Sequence, residues 1–127
     1  MNTDEIKDEN IKNITHEDQY ISIENFAKVQ IKIGEIKEVS FVENSEKLLS
    51  FIVDVGEDKP RHIFSGIRLF ITDKDSLLGK KVPVVCNLPP RKIMGIPSEG
   101  MIIYAVGDKT LDIIETNKEV ANGTEVR

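Results

Sequence analysis

Apolar and polar side chains alternate along Val29-Gln30-Ile31-Lys32-Ile33, and this period of two predicts a half-buried strand. Gly34 follows. A glycine inside a strand predicts a bulge or a sharp bend of the kind that barrels need at their corners. The strand resumes at Ile36 and runs to about Val42, and Glu43-Asn44-Ser45-Glu46 reads as a turn. A second strand covers Leu48–Val55, Gly56–Pro60 is a loop, and His62–Gly66 is a short third strand. Asp73–Leu78 reads as a helical turn with Thr72 as its cap. Lys81–Leu88 is a strand, and Met101–Val106 with Thr110–Ile114 reads as a hairpin across Gly107-Asp108-Lys109. Upstream, Ser22 is placed to cap a short turn through Glu24-Asn25-Phe26, with Phe26 as a core anchor. Asn117–Arg127 lacks clear periodicity.

Five or six strands, a bent first strand and one short helix between the third and fourth predict an all-β fold. The expectation is an OB-fold, a five-stranded Greek-key barrel with a short helix and a C-terminal extension. The pattern by itself leaves an SH3-like barrel open. The chain has 127 residues, 39% of them hydrophobic, which suits one domain with a core of ordinary size. Residues 1–20 are polar and almost free of aromatics, so a disordered acidic tail is expected there and a folded domain over residues 21–127.

Charge changes the picture only once it is located. The net charge of −5 argues against a nucleic-acid partner, but residues 1–25 carry two lysines and seven acids and account for all of it. The remaining residues carry equal numbers of basic and acidic side chains. A basic face therefore depends on how those charges segregate in space. The single cysteine, Cys86, lies in an apolar run and reads as a small buried hydrophobe, so no disulfide within the chain is expected. The N-terminus lacks a secretory apolar region, and no apolar run approaches the roughly 20 residues that span a bilayer. A cytoplasmic protein without membrane association is expected.

Catalytic signatures are missing. There is no G-x-S-x-G, no Walker A loop, no Rossmann fingerprint and no H-E-x-x-H. One cysteine and two distant histidines give no zinc cluster, and neither a metal nor another cofactor is expected. A Cys86–His62 pair conflicts with a core position for Cys86. The segment Asn87–Met101 is more informative. Pro89 and Pro90 restrict the backbone, and Arg91 and Lys92 follow at once. One reading is a surface crossover with solvated charges. The other is a stiff loop that presents cations to a phosphate backbone. Lys32, Lys47 and Arg61 sit at strand positions from which they can converge on one rim with that loop. Trp is missing and the few Phe and Tyr residues lie mostly in apolar runs, so they are expected in the core and long stacked single strands are not expected as ligands. Met94 and Met101 can pack the loop on the barrel or touch a base.

Several of these segments resemble one family. Ile23-Glu24-Asn25-Phe26 and Val29-Gln30-Ile31-Lys32-Ile33-Gly34 are similar to the opening of the structure-specific tRNA-binding OB domain. That family includes the C-terminal domain of bacterial methionyl-tRNA synthetase and free-standing tRNA-binding proteins. Ser45–Leu49 resembles the start of its second strand, Arg61–Ile67 its third strand, Asn87–Met101 its most specific signature, and Val120–Arg127 its ending. The resemblance implies a non-catalytic homodimer whose C-terminal extensions pack together. It also implies recognition of tRNA by shape and assistance to a methionyl-tRNA synthetase. The RNA-contact positions it implies are Lys32, Lys47, Arg61, Asn87, Arg91, Lys92, Ser98 and Met101, while Ser65 and Gly66 match and can be structural. Pro89 stands where many members have Lys, so one cation is missing. The Pro-Pro form also resembles the CsaA-like peptide-binding export chaperones, which share the fold and the dimer.

Overall fold

A computed structural model of the chain describes residues 19–127, so the acidic tail expected over residues 1–20 lies outside the described residues except for its last two positions. Ser22 caps helix α1 (Ile23–Phe26), its Oγ accepting the Asn25 N–H at 3.0 Å. The strands follow in chain order: β1 (Ile31–Phe41), β2 (Leu49–Asp54), β3 (Arg61–Ser65) and β4 (Lys81–Val85). After them come β5 (Arg91–Ile93), β6 (Ile96–Ser98), β7 (Met101–Ile102), β8 (Tyr104–Val106), β9 (Leu111–Ile113) and β10 (Glu125–Val126).

The main sheet is antiparallel and runs β3-β2-β1-β4-β7. Strands β1 to β3 form a meander, and β4 returns to the other side of β1, as a Greek key requires. The barrel closes where the Ser98–Glu99 segment meets β3. There Glu99 N–H donates to the His62 carbonyl at 2.8 Å, and Phe64 N–H donates to Ser98 Oγ at 3.1 Å. The result is a nearly closed five-stranded barrel of the OB type. Among the described residues, no helix is long and apolar enough to cross a membrane.

The barrel core is made by inward positions of every strand of that sheet: Ile36 and Val39, Leu49, Phe51 and Val53, Ile63, Val82 and Val84, and Ile102. Cys86 is buried beside them, as expected, and burial pushes its thiol pKa up. The expected break in the first strand falls elsewhere. The register slips between Ile36 and Glu38, which leaves Lys37 as the extra residue of a bulge. The slip returns Val39 to the core side occupied by Ile36. Gly34 stays in regular pairing with Val82, and its φ is not left-handed. Its role is close approach: a Cβ there would lie 2.6 Å from Val53 Cγ1 and 2.9 Å from Val55 Cγ1.

Other boundaries also move. Asp73, not Thr72, caps the turn of 3-10 helix at Lys74–Leu77, accepting the Asp75 N–H at 3.1 Å. The fourth strand stops at Val85, and the expected last hairpin divides, with β7 on β4 and β8 on β9. The unpatterned C-terminus has a defined place. Ile33 exchanges hydrogen bonds with Gly123 and Thr124, and β10 pairs with Ile31 and Lys32 along the part of β1 that β2 does not reach. Phe26 is not a core anchor, since the four-residue helix buries none of its side chains.

Candidate nucleic-acid interface

The segment that reads as a stiff loop is a short hairpin. Strands β5 and β6 pair Arg91 with Ser98, Lys92 with Pro97 and Ile93 with Ile96. The turn between them is Met94-Gly95, with φ of 52° and 82°. Two consecutive left-handed residues are the mark of a type I′ turn, whose twist matches a hairpin. Side chains alternate along a strand, so the adjacent cations face opposite ways. Arg91 and Ile93 line a groove of about 370 Å³, whereas Lys92 does not. Both cations are exposed, and neither makes a hydrogen bond or an ion pair among the described residues.

The groove lies between this hairpin and the end of β3. Phe64, Leu88, Ile93 and Met101 give it an apolar lining, and Ser65, Ser98 and Arg91 add polar groups. Three expected contact residues therefore meet here: Arg91, Ser98 and Met101, with Ser65 and Gly66 beside them. Met101 is half exposed, while Ser98 is buried and its Oγ holds the Phe64 N–H. Sequence reading missed Phe64, Leu88 and Tyr104. The available signal was Phe64 directly preceding Ser65-Gly66 on a short strand.

Tyr104 closes the groove from behind, its hydroxyl donating to Ser65 Oγ at 2.8 Å. Burial pushes its pKa from the ordinary 10 up to about 12. In the unfolded chain the phenol ionises first, so stability falls as pH rises from about 10 to about 12. The loss is expected to reach about 2 kcal/mol at pH 11.5 relative to Tyr104→Phe, read by urea unfolding of both proteins at pH 9 and pH 11.5. Parallel pH dependence of the two proteins would remove this assignment.

The other expected contact residues lie apart from the groove. Asn87 tethers the chain before β1, its Oδ1 accepting the Gln30 N–H at 2.8 Å and its Nδ2 donating to the Lys28 carbonyl at 2.6 Å. Lys47 is exposed in the turn before β2, where its carbonyl accepts the Arg68 N–H at 3.0 Å. Lys32 lies beside β10 in a second depression shared with Ile23, Phe26 and Val126. Arg61, at the start of β3, is engaged on three sides. Its Nε and Nη2 donate to the two Glu57 carboxylate oxygens at 2.9 and 2.8 Å. Its Nη1 donates to the Cys86 and Glu99 carbonyls, both at 2.8 Å. This guanidinium holds the Glu57 carboxyl below its ordinary pKa.

The aromatic side chains depart from expectation. Tyr20, Phe26, Phe41 and Phe70 are exposed, and Phe51 alone of the described aromatics is fully buried. Arg68 lies over the Phe41 ring, its guanidinium carbon 4.2 Å from the centroid, which gives one exposed ring a cationic partner. The His62 ring bonds Ser50 Oγ at 2.6 Å and stacks on Phe64, while the Cys86 thiol donates to the Val84 carbonyl, so the two do not form a pair.

Comparison with known proteins is consistent across the domain. A family model described as "putative tRNA binding domain" matches residues 31–125. The methionine–tRNA ligase of Oceanobacillus iheyensis is 40% identical over 113 residues, covering 89% of this chain and 17% of the relative. That of Helicobacter pylori is 46% identical over 108 residues, covering 85% of this chain and 16% of the relative. The chain thus spans about a sixth of the length of these relatives. Among solved structures, a MetRS-related protein from Pyrococcus horikoshii superposes with a TM-score of 0.79 at 34% identity, covering 85% of this chain and 98% of that one. The chaperone CsaA from Bacillus anthracis superposes with a TM-score of 0.74 at 21% identity, covering 85% and 99% respectively, a likeness of fold.

Proposed function

From the premise that this chain belongs to the putative tRNA binding domain family, we propose that it is a non-catalytic module that recognises the shape of tRNA through the groove beside the β5–β6 hairpin. The observation that carries this reading is the hairpin itself. It fixes Arg91 at the groove with its guanidinium uncommitted and sets Lys92 on the opposite face. Cations on a pre-ordered ribbon bind phosphates without first losing backbone freedom. Apolar residues in the groove accept a base or sugar face, and the shortage of hydrogen-bonding groups there favours shape over sequence. Relatives named methionine–tRNA ligase support a role beside such an enzyme. A tethered or trans-acting tRNA binder raises the tRNA concentration that its partner experiences. We place the homodimer contact at the exposed apolar patch of Ile23, Phe26, Val29 and Val126, next to β10.

The apolar lining of the groove favours one further reading, a CsaA-like dimeric chaperone that binds extended peptide. A single experiment separates them. The full chain is titrated with bulk tRNA, a plain RNA duplex and an unfolded peptide over several salt concentrations, and its mass is measured by light scattering. Expected are a mass of two chains and tRNA-selective binding that weakens steeply with salt. Peptide binding without tRNA binding would replace the first reading by the second, and a mass of one chain would remove the dimer.

A further inference from the structure

We infer that Arg61 is a positioning residue that fixes the hairpin carrying Arg91, and not a contact to RNA. The hairpin excursion leaves the barrel between Cys86 and Glu99, with Asn87 and Ser98 still bonded to the segment before β1 and to the barrel, respectively. One guanidinium nitrogen, Nη1 of Arg61, donates to the carbonyls of both flanking residues at 2.8 Å. It therefore ties the two stems of the hairpin excursion to one point. The other edge of the guanidinium is held by both oxygens of Glu57, in the turn between β2 and β3. Four of its five N–H donors are used inside the protein. Its side chain retains about 20% of its exposure. Without displacing Glu57, a phosphate could reach only the one remaining Nη2 N–H. The carboxylate also neutralises the cation, so little positive potential is left for RNA.

Neighbouring bonds complete the arrangement. The Glu99 carboxylate accepts the His62 N–H at 3.0 Å, and Glu99 N–H donates to the His62 carbonyl. The residue after Arg61 thus locks the same stem that Arg61 grips. Arg is required for geometric reasons. A planar fork serves two carbonyls and a bidentate carboxylate at once, whereas the Lys ammonium is a point charge with three donors. The effect on RNA affinity rests on the tRNA-binding reading above, but the effect on the hairpin does not.

The test compares Arg61→Lys, Arg61→Gln and Glu57→Gln in the full chain by two measurements. The first is backbone hydrogen exchange. Faster exchange is expected in residues 91–99, with β1 and β2 unchanged, for Arg61→Lys and Arg61→Gln alike. Glu57→Gln, which keeps both carbonyl bonds, should show a smaller increase. The second is the salt dependence of tRNA binding. Both Arg61 variants should weaken binding about fivefold to tenfold, with the slope of log K against log salt unchanged. If Arg61 instead contacts a phosphate, Lys will restore affinity and Gln will reduce the slope by about one. Rescue by Lys, or unchanged exchange in the hairpin, would overturn the inference. If none of the proteins binds tRNA, the functional reading fails and the exchange result still decides the role of Arg61.

Discussion

Arg91→Glu combined with Lys92→Glu is expected to lower tRNA affinity about a hundredfold or more at moderate salt and to leave the fold and the oligomeric state intact. Both side chains are exposed and uncommitted within the described residues, so their replacement removes no internal bond. Each lost phosphate contact takes roughly 0.7–0.9 from the salt slope, and each new carboxylate adds repulsion where a cation stood. The two positions should contribute unequally. Arg91 shares a face with Ile93 in the groove, so Arg91→Glu alone should account for most of the loss. Lys92, paired with Pro97 on the opposite face, should matter less. Anisotropy titrations of both single variants and the double variant measure this directly. Unchanged affinity in the double variant would remove the hairpin from the interface.

Gly34→Val is expected to destabilise the domain by about 3 kcal/mol, and Gly34→Ala by about 1–3 kcal/mol. The Cβ alone would lie 2.6 Å from Val53 Cγ1, 2.9 Å from Val55 Cγ1 and 3.1 Å from Val84 Cγ2. Those neighbours are β-branched and stiff at χ1, and Val53 and Val84 are fully buried, so relief requires backbone movement. Gly66 is the control, since a Cβ there meets nothing within 4 Å. Gly66→Ala should be neutral or slightly stabilising because it restricts the unfolded chain. Urea midpoints at constant slope report the difference. A near-neutral Gly34→Ala would show that β1 can shift against β2 and β4 without cost.

The same glycine shows what the sequence could and could not disclose. Its place inside an alternating strand marked a special position. A bulge and a close approach are both consistent with that mark, and only the opposing Val53, Val55 and Val84 decide between them. Strand alternation located the barrel because it is local, and the meander of β1 to β3 was legible for that reason. The hairpin of β5 and β6 was not. Pro-Pro before it and Pro97 within it read as loop, and Met94 is an unusual residue for a left-handed turn position. At the site, the residue types were legible but their commitments were not. Arg61 and Arg91 look equivalent as cations in the chain, yet one is saturated by Glu57 and two carbonyls and the other is uncommitted. The exposed Phe41 and Phe70 lie at the end of β1 and in the turn after β3, where apolar identity gave no hint of which way the backbone would face them.

The placement of β10 has a kinetic consequence. Ile33 bonds Gly123 and Thr124, partners about ninety positions away along the chain. Until those residues dock, the first half of β1 offers unpaired N–H and C=O groups on one side, next to a strand that is already paired on the other. An intermediate with β1 to β4 in place therefore carries an open edge able to recruit a strand from another chain. Once docked, residues 123–126 cover that edge. Their contribution to soluble yield during refolding at high concentration should exceed what two short rungs of hydrogen bonds add to equilibrium stability.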